Sequence, residues 1–297
     1  MPRIGSAIGR FTLEQELGRG PMSEVFLAVE AGTGWKVAIK VFLLEPGSKP
    51  EDSGNWARRM VREAAEAARF RHERVIRVHE VAEHGGVPYL VRDYIEGKSL
   101  AQHIGDRTAG ALGRKLGWLH DLARTLAEIH RAGLVHRDVK PSNVLIRRDG
   151  ALRLLDFGVA RRSVDREAGL VAPTSDRLPS GTERLRIQGT PAYIAPERFA
   201  HRATSAATDQ FGWGVLAYEL LVGHLPWGRA GGEGGKRPRS VPIIEAILTQ
   251  AAPPLRASVP ELSPALDAVV AQAMAKEPAL RFPSMDDLAS ALDAAVR

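Results

Sequence analysis

The hydrophobic pattern of the chain switches once, near residues 93–98, from strand-like to helix-like, and this limits the folds open to it. Upstream, "FTLEQELGRG" (11–20), "EVFLAVEAG" (24–32) and "WKVAIKVFLL" (35–44) read as strands. In the last, Trp35, Val37, Ile39 and Val41 are expected on one face, and Ala38 and Lys40 on the other. Residues 52–70, "DSGNWARRMVREAAEAARF", are rich in Ala, Arg and Glu and predict a helix capped by Asp52 or Ser53. Two further strands are expected at about 75–82 and 87–95. Beyond "EGKSL" (96–100), helices are expected at 113–132, 206–223, 241–250, 262–276 and 285–295. A small β-rich part followed by a larger helical part is an α+β, two-lobed pattern.

The 297 residues, 44% of them hydrophobic, are enough for a substantial core. The longest apolar region, "FGWGVLAYELLVGHLPW", contains Glu219 and His224 and is shorter than the roughly 20 residues of a membrane span. The start, "MPRIGSAIGRF", lacks the apolar stretch of a signal peptide. There is no cysteine, so disulfides, thiolate metal sites and cysteine nucleophiles are excluded. These features predict a soluble, cytoplasmic chain and leave open a longer parent protein with an anchor. The net charge of +6 lies partly in "GRAGGEGGKRPRS" (228–240), which reads as a solvated loop. No helix carries a basic stripe with interleaved aromatics, so no nucleic-acid partner is expected.

Several motifs carry chemistry. "GRGPMSEV" (18–25) sets two glycines at turn spacing before a strand. Gly18 and Gly20 would let backbone N–H groups approach phosphates, although most glycine pairs between strands are plain hairpin turns. Lys40 in "VAIK" suits either two phosphates or an edge strand. "HRDVKPSNVLI" (136–146) is sharper: Asp138 and Asn143 are five apart in a loop broken by Pro141. That spacing lets a carboxylate accept a hydroxyl proton while an amide oxygen ligates a metal. Lys140 can then neutralise a transferring phosphoryl group. Asp156 in "LLDFGVA" suits Mg²⁺ bridging phosphates, or an ordinary turn after a strand. "GTPAYIAPE" (189–197) supplies Thr190 and Glu197.

Taken in order, these motifs resemble the protein-kinase family, specifically the eukaryotic-like (Hanks-type) Ser/Thr kinases of bacteria. The resemblance runs from about Phe11 to the C-terminus. It implies one kinase domain over 1–297, with an N-lobe at about 9–93, a hinge at about 93–98 and a C-lobe beyond. It implies ATP with Mg²⁺ or Mn²⁺ as cofactors and Ser/Thr hydroxyls of proteins as acceptors. Leu17, Gly18, Gly20 and Ser23 would lie over the nucleotide, and Lys40 would bind the α/β-phosphates with Glu63 as its partner and Glu66 as runner-up. Val25, Ala38 and Leu145 would wall the adenine, and the hinge backbone at Asp93 and Ile95 would hydrogen-bond it. Asp138 resembles the catalytic base, Lys140 the phosphate-neutralising lysine, and Asn143 and Asp156 the metal ligands. Glu197 with Arg281, and Asp209 beneath the "HRD" backbone, are expected to be structural. Residues 163–182, with Thr182 foremost, are expected to be autophosphorylated, which implies self-association. Arg137, beside Asp138, is the type of residue that pairs with such a phosphate.

One residue departs from the family pattern. In "VPYLVRDYIE" (87–96), Arg92 occupies the position before the hinge, where an apolar residue is usual. Strand alternation puts it on the face of Leu90, opposite Val91 and Asp93. A guanidinium there needs a carboxylate, and Glu63, Glu66 and Asp156 are the candidates; the alternative is a side chain that reaches solvent. Two classes of function therefore stand: an active kinase, and a pseudokinase that binds nucleotide with little transfer.

Overall fold

A computed structural model of the chain describes residues 2–20, 23–43, 61, 65, 68–155, 191–200, 202–227 and 240–296. It divides into two compact units. The first takes its described residues from 1–69 and 77–94, and the second from 70–76, 95–157 and 191–297.

The first unit is built on a six-stranded antiparallel sheet in the order β1-β2-β3-β4-β6-β5. Its strands are β1 (Ala7–Ile8), β2 (Phe11–Arg19), β3 (Ser23–Glu30), β4 (Lys36–Phe42), β5 (Val78–His84) and β6 (Val87–Asp93). Alternation along β2, β3, β4 and β6 sends Phe11, Leu13, Phe26, Ala28, Val37, Ile39, Val41, Tyr89 and Val91 to one face, where they contribute to the unit's apolar core. Three departures from the expected elements stand out. Strand β1 was not anticipated. Trp35 precedes β4 rather than joining its inner face, and the residue is 38% exposed. Strand β5 starts three residues later than expected, because Val75 and Ile76 pair elsewhere: Val75 bridges Leu154, and Ile76 N–H donates to the Leu154 carbonyl at 2.9 Å.

The second unit holds a three-stranded antiparallel sheet, β7 (Gly97–Ser99), β8 (Val144–Arg147) and β9 (Leu152–Leu154), and the helices. These are α1 (Leu100–Gly105), α2 (Leu112–Arg131), α3 (Pro196–Phe199), α4 (Ala206–Val222), α5 (Ser240–Thr249), α6 (Pro264–Ala273) and α7 (Met285–Ala295). Buried Leu119, Leu122, Ala123, Leu126 and Ile129 recur at helical spacing on α2 and pack it into the core. Helix α4 is buried nearly all round, from Thr208 to Leu221. It stops at Gly223, whose φ of +91° suits glycine alone at low cost. Ser99, Ser263 and Ser284 cap α1, α6 and α7 by accepting from backbone N–H groups. The helix expected at 52–70, together with Glu63, Glu66, Asp156 and the 163–182 segment, lies outside the described residues apart from Val61, Ala65 and 68–70.

Candidate active site

In the first unit, strand register gathers the predicted nucleotide residues on the sheet face opposite the core. Val25 stands across from Lys40, Leu27 from Ala38, Lys40 from Leu90 and Ala38 from Arg92. Residues directly opposite on adjacent strands share a face, so Val25, Ala38, Lys40, Leu90 and Arg92 look the same way. Val25 and Lys40 are half-buried and Ala38 is buried, and the five residues give a surface that is apolar at Val25, Ala38 and Leu90 and cationic at Lys40 and Arg92. At one end of β3, Gly20 N–H donates to the Ser23 carbonyl at 2.7 Å, which closes the turn between β2 and β3. Leu17 is the extra residue where the β2–β3 register slips between Glu16 and Gly18, and it is 41% exposed. A bulge of this kind re-aims its side chain. Arg19 ties the turn down through Glu16 and buried Glu24, each at 3.0 Å.

Arg92 is 6% exposed, so it does not snorkel to solvent. Its register with Ala38 confirms the face expected from alternation.

In the second unit, the loop 136–143 is fixed from below by α4. Asp209 is buried; its Oδ2 accepts from His136 N–H at 2.8 Å and its Oδ1 from Arg137 N–H at 2.7 Å. His130, on α2, reaches the same Oδ2 with Nε2 at 2.8 Å. Three residues on, Gly212 lets α4 approach the loop: a Cβ there would sit 2.9 Å from the Val139 carbonyl oxygen. Arg137 takes a left-handed conformation, φ +68°, and its carbonyl accepts from Arg198 Nη1 at 3.2 Å. Such a strained non-glycine residue persists only where its surroundings hold it. His136 is buried, with Nε2 at 2.8 Å from the Leu155 carbonyl. A carbonyl only accepts, so the ring proton sits on Nε2, and Nδ1 accepts from Asp138 N–H at 3.3 Å.

The scaffold presents three side chains together. Lys140 Nζ lies 2.7 Å from Asp138 Oδ2, and Asn143 Nδ2 donates to that oxygen at 2.9 Å and to the Asp138 carbonyl at 2.8 Å. With both Asn143 donors turned inward, its amide oxygen is the group left to ligate a hard cation. Leu145 on β8 is half-buried between buried Val144 and Ile146, so it faces away from the core. The predicted hinge residues Asp93 and Ile95 fall in the first and second units respectively.

Bracing residues lie close by. Arg281 pairs with Glu197 through Nη1 at 2.9 Å and Nη2 at 2.8 Å, both side chains being buried. The Thr208 hydroxyl donates to Glu197 at 3.0 Å. Tyr193 of "GTPAYIAPE" donates its hydroxyl to Glu219 on α4. Burial pushes the Glu219 carboxyl above the usual carboxylate range despite that bond and nearby His224. Sequence reasoning found Glu197, Arg281 and Asp209 but missed His130 and Gly212. Their only signal is position: His130 is six residues before His136, and Gly212 one helical turn after Asp209.

Residues 11–291 match the family described as protein kinase domain. The chain is 36% identical to the serine/threonine-protein kinase pkn2 of Myxococcus xanthus, over 97% of this chain and 32% of that protein. It is 32% identical to the serine/threonine-protein kinase PknA of Mycobacterium tuberculosis, over 100% of this chain and 63% of that one. The chain spans only 32% to 44% of the length of several curated relatives it matches. Its fold is similar to the solved structure of Rad53 residues 1–466 in complex with AMP-PNP, with a TM-score of 0.69 at 21% identity, covering 94% of this chain and 64% of that one.

Proposed function

The chain belongs to the protein kinase family, and on that premise we propose that it transfers the γ-phosphoryl group of ATP to Ser or Thr hydroxyls of proteins. The observation that carries this reading is the convergence of Lys140 and Asn143 on one oxygen of Asp138. Asp138 accepts the proton of the acceptor hydroxyl as the oxygen–phosphorus bond forms, and Lys140 offsets the negative charge of the phosphoryl group in flight. The ADP leaving group departs from the opposite side of the phosphorus. Lys40, on the nucleotide face of the sheet, binds the α- and β-phosphates. The hinge backbone at Asp93 and Ile95 would hydrogen-bond the adenine, and Val25, Ala38 and Leu145 are the apolar side chains that would contact it.

Asn143 and Asp156 would hold Mg²⁺, and the oxygen donor set suits a hard cation. When bound, the ion neutralises phosphate charge and orients the γ-phosphate. Lys140 in "DVKPSN" and Thr190 in "GTPAY" support Ser/Thr acceptors. Among the described residues no helix is long and apolar enough to cross a membrane.

A second reading, a nucleotide-binding pseudokinase, is favoured by one observation: buried Arg92 on the nucleotide face. Incubation with γ-labelled ATP, Mg²⁺ and a generic basic protein separates the two. Label on Ser or Thr supports the transferase. ATP binding without label in either the basic protein or the chain itself identifies the pseudokinase.

A further inference from the structure

The end of β6 is held by a pair that phosphoryl transfer does not use. Strand β5 carries one extra residue against β6: Val78 lies opposite Arg92 and Glu80 opposite Val91, which leaves His79 as the bulged residue. Bulges turn a side chain out of its ladder position and occur often beside functional sites. Here the imidazole turns onto Asp93, with Nε2 at 2.5 Å from Oδ1. The ring of Trp35 packs edge-on against the imidazole, centroids 4.7 Å apart at 83°. Asp93 N–H meanwhile donates to the Arg77 carbonyl at 3.0 Å, and Asp93 stands opposite Val37 of β4. One residue is thus gripped through its carboxylate, its N–H and its ladder position. It is the last of β6, and the chain leaves the first unit directly after Tyr94.

Nothing in the core requires this grip. The His79 and Asp93 side chains are 18% and 40% exposed and lie outside the first unit's apolar core. A plain antiparallel pairing would satisfy the strand without a bulge. What the bulge gains is a fixed orientation for the Asp93 peptide: its N–H is engaged by the Arg77 carbonyl, so its own carbonyl is the group that would accept from the adenine amino group.

We propose that His79 is a positioning residue for the nucleotide: by holding the Asp93 carboxylate it fixes the Asp93 carbonyl, and so sets affinity for ATP rather than the rate of transfer. Trp35 restrains the imidazole in the orientation that reaches Asp93. This inference rests on the kinase reading and on Asp93 as an adenine contact. Preorganised binding groups lose affinity when the residues supporting them are removed, without any direct contact being lost.

The test is steady-state kinetics and direct ATP binding on His79→Ala, His79→Gln, Asp93→Ala and the double variant His79→Ala/Asp93→Ala. Loss of one charge-assisted hydrogen bond predicts a rise of about fivefold in the KM and Kd for ATP with His79→Ala. The turnover number and the KM for the protein substrate should stay within about twofold. His79→Gln keeps an amide donor and should recover most of the ATP affinity. Asp93→Ala retains the carbonyl and should raise the Kd for ATP by about as much as His79→Ala, and the double variant should bind ATP no worse than either single one. A general loss of stability would instead lower turnover and ATP affinity together. Ala38→Trp, which fills the adenine wall, is the control for the underlying reading and should abolish ATP binding. If Ala38→Trp binds ATP normally, the nucleotide reading falls and this proposal with it. If Ala38→Trp is dead while His79→Ala and Asp93→Ala keep wild-type ATP affinity, His79 has no positioning role and the nucleotide reading stands.

Discussion

Arg92 stands directly opposite Ala38 across the β4–β6 ladder, so the two side chains share one face of the sheet, the face opposite the apolar core. Lys40 lies one diagonal step away on the same face. Two cations within about 7–8 Å on a partly buried surface repel unless an anion lies between them.

The first prediction concerns that anion. Glu63 and Glu66 are the candidate partners of Arg92, and both lie outside the described residues. If Arg92 shares the carboxylate that Lys40 needs, its removal frees that carboxylate for Lys40. Arg92→Met, which keeps apolar bulk without charge, should raise basal transfer activity severalfold and improve binding of adenine-site inhibitors. Unchanged kinetics and inhibitor affinity would show that the arginine is tolerated rather than used.

The site was legible in the sequence where chemistry fixes both residue type and spacing. Asp138, Lys140 and Asn143 fall within one six-residue loop, so reading the motif amounted to reading the geometry. Alternation likewise placed Ala38, Lys40 and Arg92 on one face, because strand period is fixed at two. Contacts distant in the chain were less legible. Gly212 approaches Val139, and His130 meets Asp209, through helix packing that no local pattern encodes. The His79 bulge is a register slip of one residue, and "RVHEVAEH" carries no glycine or proline to mark it. Trp35 looked like an inward strand residue because it continues the alternation of Val37 and Ile39, yet it lies one residue before β4 begins.

The second prediction tests the support under the loop. Asp209→Ala removes both acceptors for the His136 and Arg137 N–H groups, and Gly212→Ala forces α4 off Val139. Misplacing reacting groups by about an ångström can cost on the order of 10²-fold. Each variant should lose turnover by about that factor while ATP affinity changes little, because the sheet face of the first unit that carries Val25, Ala38 and Lys40 is untouched. Titration with ATP alongside turnover measures both quantities.

The third prediction is one of stability and pH. Burial works to raise the Glu197 carboxyl, but Arg281 outweighs it with help from Thr208 and holds it below the usual glutamate range. The folded-state value is thus lower than the unfolded one. The pair's contribution is therefore complete above the ordinary glutamate range and is lost as pH falls through the lowered value. Arg281→Met leaves a buried carboxylate without its cation and should cost about 3–5 kcal/mol at neutral pH. Urea titrations of both proteins should show this gap narrowing in acid, once Glu197 is protonated. A gap that stays constant from neutral pH into strong acid would contradict the assignment.

The fourth prediction lies on a segment outside the described residues. Thr182 is seven residues before Gly189 and close to Arg184 and Arg186. After incubation with ATP and Mg²⁺, mass spectrometry should find phosphate within 163–182, with Thr182 the principal site. An unmodified segment in an enzyme that phosphorylates other proteins would exclude loop phosphorylation as its switch.

The central claim is that Asp138 is the base for phosphoryl transfer, and the most direct measurement is single-turnover transfer by Asp138→Asn at saturating ATP. Asparagine keeps the shape of the side chain but cannot accept the hydroxyl proton as a carboxylate does. The account predicts ATP binding close to wild type, an unchanged folding transition and transfer slowed by about 10³-fold, within the range of general-base contributions. Lys40→Met should also abolish transfer in a folded chain, through loss of a phosphate contact. Transfer by Asp138→Asn within a few-fold of wild type would contradict the account.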